Sequence, residues 1–221
     1  MTSIVASLVA LVMQINWCLK GISKTSTFDD AVAAAVLKST GILSKWMLTY
    51  GNKTADQTNI LGQNALNHSA LLDHVNNYRK VAKDTPYISL CSGCIEFNGR
   101  GSPPIRYKAL RTALNFATNG GKQSGYVFRC WVITGLKPAA ELPGLAEEIR
   151  DLNLYTDCYE YHRQGEVTAK LVVPRRQVAQ VTKVDQHLTP LPASWAGGGS
   201  TLSNSDFLSP DRVSNVIEEI N

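Results

Sequence analysis

An acid at the head of a β-branched run is the first group in this sequence that could do chemistry. Glu166 follows Gln164-Gly165 and opens Val167-Thr168-Ala169-Lys170-Leu171-Val172-Val173-Pro174, a composition that predicts a strand. A carboxylate so placed is held rigidly at the mouth of a sheet, and on a strand Gln164 would share its face. On residue types alone the commoner role for such a pair is a solvated edge. Ser89, within Thr85-Pro86-Tyr87-Ile88-Ser89-Leu90-Cys91, is a second candidate, although strand serines are often satisfied by backbone. Cys91-Ser92-Gly93-Cys94 is a CxxC, half of a zinc site or a redox pair. A structural zinc site needs a second ligand pair, and Cys130, Cys158 and His162 stand at no standard spacing. A redox CxxC opens a helix, whereas this one ends a predicted strand, so no metal site is expected. A cysteine–histidine hydrolase built on Cys91 or Cys130 has no local signature. Arg163 and Arg175-Arg176 suit phosphate, but adjacent arginines in a turn are usually solvated.

The elements that must position these residues read as helices first and strands later, which predicts an α+β fold. Ile4, Leu8, Leu11, Val12 and Ile15 recur at helical spacing, so residues 4–19 are expected to form a helix with one buried face. A second helix from Phe28, capped by Ser26 or Thr27, ends at Gly41, and Trp46–Tyr50 reads as the first strand. Residues 65–81 and 105–118 are expected helices, the latter closed by Asn119-Gly120-Gly121. Strands are predicted at 87–91, 126–134, 159–162, 166–173 and 178–184, with a helix at 145–154. The composition divides the chain into a helical segment (1–45), an α+β domain (46–188), a Pro/Gly-rich linker (189–208) and a short helix (209–221).

Bulk composition narrows the class. The apolar content of 44% over 221 residues supports a real core. Twenty-two basic and 18 acidic residues give a net charge of +4, scattered along the chain, so there is no clear nucleic-acid signature. Five cysteines, an odd number in a chain this long, favour a reducing cytoplasm over a disulfide framework. Residues 4–19 raise a signal peptide or membrane anchor, but no basic residue precedes them and Gln14 and Asn16 interrupt the run.

Taken in order, Ser89 on a strand, Ala113, Phe116 and Ala117 on a helix, an aromatic strand, and Gln164-x-Glu166 opening another strand resemble the ADP-ribosyltransferases. The resemblance spans about residues 85–185 and lies in order and spacing. It implies a mostly antiparallel split sheet after the helical N-terminal part. It also implies NAD as substrate, cleaved at the nicotinamide–ribose bond, with ADP-ribose passed to a macromolecular acceptor, as in a toxin or defence effector with an antitoxin or immunity partner. Glu166 would then stabilise the oxocarbenium-like transition state, Gln164 orient the acceptor, and Ser89 fix the Glu166 rotamer. Tyr87 or Tyr126 would stack on nicotinamide. The family's first strand ends in Arg or His that holds the dinucleotide. In this chain Tyr50 stands at the expected place, with Arg79, His68 and His74 as other options, and Leu90-Cys91 replaces the family's Thr-Ser. The substitution at Tyr50 motivates an alternative: an inactive binding module of the same fold.

Overall fold

Strand β1 (Met13–Ser23) lies inside the sheet, and neighbours join it on both sides. The computed structural model describes residues 13–51, 64–93, 108–151, 154–158, 164–187, 193–196 and 198–212. In order across the sheet the strands are β5 (Glu166–Lys170), β3 (Tyr87–Ser92), β1, β4 (Gly125–Gly135), β7 (Val178–Val184) and β8 (Thr201–Ser203). Every neighbouring pair is antiparallel. A second, two-stranded ladder joins β2 (Ile42–Leu43) to β6 (Val172–Val173). The architecture is α+β with a mostly antiparallel sheet.

The expected N-terminal helix is a strand over its described part, while residues 1–12 lie outside the described chain. A two-residue period explains the difference. Met13, Ile15, Trp17 and Leu19 alternate with Gln14, Asn16 and Lys20, which suits a pleat better than a helix. β1 is thus an inner strand of the sheet that β3, β4, β5, β7 and β8 complete.

Around the sheet stand α1 (Asp30–Ala35, continued by a π turn over Val36–Thr40), α2 (Lys45–Tyr50), α3 (His68–Asn76), α4 (Tyr78–Val81) and α5 (Ala109–Ala117). Asp29 caps α1 by accepting from Ala31 N and Val32 N at 3.0 Å each, in place of the expected Ser26 or Thr27. The expected first strand at 46–50 is helix α2. Ser44 Oγ accepts from Met47 N at 3.2 Å and starts it, and one turn later it ends at Gly51.

Residues 145–154 are not helical where they are described. Glu147 exchanges both backbone hydrogen bonds with Thr168, at 2.8 and 2.9 Å, so this segment covers the outer edge of β5. The run 166–173 breaks at Leu171, whose φ of 59° turns the chain from β5 into β6. The predicted strand at 159–162 lies outside the described residues. In the expected linker, β8 extends the sheet and Trp195 is buried in the core. Of the expected C-terminal helix, a short 3-10 turn at Pro210–Arg212 is described. Among the described residues no helix is long and apolar enough to cross a membrane.

The main core lies between the sheet and α1. Tyr126, Phe128, Val167 and Val181 meet Ala33 and Leu37 there. Phe128 is fully buried, worth about 1.5–3 kcal/mol relative to exposure. Helix α5 packs the opposite face through Ala113, Leu114 and Ala117. Its approach is close enough to demand glycine beneath it. A Cβ at Gly21 would stand 2.0 Å from Ala113 O, and one at Gly125 1.9 Å from Ala117 O. Gly21→Ala is therefore expected to push α5 off the sheet and lower stability by about 1–3 kcal/mol in urea unfolding, whereas Gly144→Ala, where nothing lies within 4 Å, is expected to leave the midpoint unchanged.

Candidate functional site

A cleft opens where β1 leaves β3. The two strands pair at Cys18–Ser92 and Leu19–Cys91, and there the ladder ends, although β1 stays paired to β4 down to Ser23–Gly125. The cleft has a volume of about 480 Å³ and is mostly apolar. Helices α2, α3, α4 and α5 complete its walls through Leu48, Val75, Tyr78 and Phe116. Both size and lining suit a small-molecule site.

Glu166, Ser89 and Gln164 all line this cleft. The register explains the first two. Cys91 pairs with Glu166 and Ser89 with Thr168, so Ser89 is the diagonal neighbour of Glu166 on one face. Glu166 is buried, Thr168 Oγ1 donates to its carboxyl at 3.1 Å, and the Ser89 hydroxyl stands diagonally beside it. Burial pushes the carboxyl above its ordinary range, while Ser89, Thr168 and the Lys20 ammonium pull the other way. Gln164 reaches the cleft by a different route from the one its spacing suggests. The strand begins at Glu166, and Gly165, with φ of 68°, turns Gln164 inward ahead of it.

Lys20 and His74 also line the cleft, and neither is in the motif pattern that brought Ser89 and Glu166 forward. Lys20, half-buried on β1 just past the last β1–β3 pair, donates from Nζ to Ser89 O at 2.9 Å. Burial lowers its affinity for a proton, and Glu166 and the buried thiol of Cys91 partly restore it. The alternation of β1 was the signal that could have revealed this position. His74, in the last turn of α3, places Nε2 2.9 Å from Ser89 Oγ and Nδ1 2.8 Å from Thr85 Oγ1. Burial, with a smaller contribution from the Lys20 charge, pushes His74 down to about 3, so the ring is neutral at physiological pH.

The remaining sequence candidates lie as follows. Tyr87 lines the cleft with its ring, tilted against His74 at 5.7 Å, and its hydroxyl donates away to Asn67 O at 2.9 Å and Ala140 O at 3.3 Å. Tyr126 is in the main core and donates to Asp30 at 2.6 Å. Tyr50 is on α2, packed on Trp46 at 5.3 Å, and lines a separate hollow with Pro86. It does not stand at the end of the first strand, because that strand is β1. Arg79 is exposed on α4 and His68 is stacked on Tyr155, both outside the cleft lining. Cys91 is a buried thiol pushed up to about 12 by burial, and Cys94 lies outside the described residues. No group of three or more His, Cys, Asp or Glu side chains fit to hold a metal occurs among the described residues.

No family model and no curated sequence matches the chain. Three of the solved structures that show a similarity do so at low identity. EcPltA is 10% identical at a TM-score of 0.43, covering 88% of each chain. Scabin toxin from Streptomyces scabies in complex with NADH is 12% identical at 0.40, covering 90% of this chain and 80% of that one. The catalytic domain of the mosquitocidal toxin from Bacillus sphaericus is 10% identical at 0.36, covering 92% and 59%.

The neutral His74 gives the site a stability signature. Its proton affinity is lower folded than unfolded, so below pH 6.5 the unfolded chain takes up a proton that the folded chain refuses. Stability is fully present above 6.5 and falls as the pH drops towards about 3. Comparing the melting temperatures of wild type and His74→Gln from pH 8 to pH 4 isolates this contribution from the carboxylates. The expected result is that the acid-side decline is shallower in the variant.

Proposed function

We propose that this protein cleaves NAD at the nicotinamide–ribose bond and transfers ADP-ribose to a macromolecular acceptor. The observation that supports the reading most is the meeting, in one split-sheet cleft, of a carboxyl held by Ser89 and Thr168 with a lysine ammonium across the gap. The C–N bond breaks with its electron pair leaving on nicotinamide, and positive charge builds on the ribose. Glu166, fixed before the substrate arrives, stabilises that charge and accepts from a ribose hydroxyl. Gln164, at the head of β5, orients the incoming nucleophile, which gives up a proton as it bonds to the ribose carbon.

Lys20 supplies the charge that a pyrophosphate requires. One of its three N–H groups is committed to Ser89 O, which leaves donors for phosphate oxygens. Apolar side chains such as Ile22, Phe28 and Val75 offer surfaces for the flat rings. The mouth carries exposed Leu48, Tyr78 and Phe116, a rim suited to a large acceptor rather than to water alone. The inactive-module alternative took its motive from Tyr50, and Lys20 at the cleft is the observation that favours the enzyme over it.

Nicotinamide release from NAD by purified protein tests the reading. Glu166→Gln is expected to lower kcat by about 10²–10³-fold. Lys20→Met is expected to raise KM roughly tenfold with kcat less affected. Absence of NAD binding by the wild type, or a Glu166→Gln variant as fast as wild type, refutes it.

A further inference from the structure

Thr85, His74 and Ser89 form a hydrogen-bonded line that leads to Glu166, and the carboxylate sets its direction. At one end the Tyr87 amide, which can only donate, gives to Thr85 Oγ1 at 3.3 Å. Thr85 then has its own proton to offer His74 Nδ1, 2.8 Å away. At the other end stands the Glu166 carboxylate, which in its ionised form can only accept. Thr168 donates to it at 3.1 Å, and the Ser89 hydroxyl stands diagonally beside it on the same face of β3 and β5 and lowers the carboxyl's proton affinity. Ser89 has one proton, and when it is turned to that carboxylate the contact with His74 Nε2 at 2.9 Å is one in which Ser89 accepts. The Glu166 end thus calls for Nε2 protonated and Nδ1 bare, and the Thr85 hydroxyl, with a proton of its own to give, fits that imidazole.

We propose that His74 is a positioning residue for Glu166: as the neutral Nε2–H tautomer it donates to Ser89 and so commits the single Ser89 proton to the reacting carboxylate. The role rests on the NAD-cleaving reading given above. The ring is 3% exposed, so water has little access to replace its donor, and without that donor Ser89 is free to rotate away. Thr85 is equally buried at 3% and sits beside Pro86 at the start of β3, which ties the tautomer to the strand that carries Ser89. The packed rings of Tyr78, edge-on at 5.5 Å, and Tyr87 at 5.7 Å hold the imidazole in plane. Loss of ring charge by burial is consistent with the same arrangement.

The substitutions that separate this role from simple packing are His74→Phe, which keeps a ring and removes the donor, and His74→Gln, whose amide nitrogen can reach the Nε2 position. With nicotinamide release as readout at pH 7, His74→Phe is expected to lower kcat roughly tenfold to a hundredfold at little change in KM. His74→Gln is expected to recover most of it. Because His74 acts through Ser89, the His74→Phe/Ser89→Ala double variant is expected to be no slower than Ser89→Ala. Equal losses in Phe and Gln variants that melt like wild type, or additive losses in the double variant, overturn the proposal. The ¹⁵N spectrum of His74 in the wild type gives a readout that needs no turnover: a protonated Nε2 at pH 7 is expected, and a protonated Nδ1 overturns the proposal. A wild type that releases no nicotinamide yet shows protonated Nε2 removes the reaction while the hydrogen-bonded line stands. Robust turnover with protonated Nδ1 removes the role of His74 while the reaction stands.

Discussion

The parting of β1 from β3 is the constraint on which the site depends. β1 is bound to β4 along its whole length but to β3 at two residue pairs, so the β3–β5 half swings free of it beyond Leu19. Splitting a sheet leaves carbonyls without strand partners, and a buried one costs on the order of 1–3 kcal/mol if nothing replaces the bond. Lys20 replaces it for Ser89 at 2.9 Å. The same ammonium brings positive charge towards Glu166, so one side chain both heals the split and sets the field within it. Helix α5 keeps the split open from the β1 side. It is seated on Gly21 and Gly125 and turns Thr112 and Phe116 into the cleft.

The acid half of the site is held from behind. The segment 146–150 runs along the free edge of β5, and Arg150 N donates to the Glu166 carbonyl at 2.9 Å. Two ion pairs lock that segment: Arg150 with Glu148 at 2.8 Å, and Lys170 with Glu147, whose side chains are 0% and 3% exposed. Tyr155 donates to Glu147 as well, and Arg150 reaches Asn16 on β1 at 2.7 Å and the Gly93 carbonyl at 3.0 Å. Buried pairs of this kind contribute little net stability, because desolvation offsets their attraction. What they do enforce is geometry, since misplacing either partner strands a charge in the interior. They fix the backbone of β5, and with it the point from which the Glu166 side chain projects.

How much of this could be read from residues alone depends on whether the signal was local. The strand at 87–91, the aromatic strand at 126–134 and the helix ended by Asn119-Gly120-Gly121 all carry dense local patterns, and each is found within a few residues of its expected bounds. The proximity of Ser89 and Glu166 follows from strand pairing, which order along the chain suggested and register makes specific. Two of the misreadings share a cause. Residues 13–19 and 145–150 contain enough apolar or helix-forming side chains to suggest helix, yet sheet edges take their backbone groups. Lys20, and the place of His74 beside Ser89, were hidden for a related reason. Each is an ordinary residue of its own element, and only long-range packing brings it to Ser89.

The misplacement of the first strand also displaced the search for a cation. Counting strands from 46–50 led to Tyr50, an aromatic with no charge to offer a phosphate. Counting from Met13–Ser23 leads to Lys20, at the point where the strand leaves its neighbour. A lysine differs from an arginine there in a way the geometry makes intelligible. A guanidinium is a rigid fork best used on one oxyanion pair, whereas an ammonium is a point charge whose three donors turn independently. One donor can stay on the Ser89 carbonyl while others meet a ligand, so substrate need not strip the split sheet of its support. Burial that weakens the ammonium also sharpens its response, because an anion beside it would raise the proton affinity that desolvation lowers.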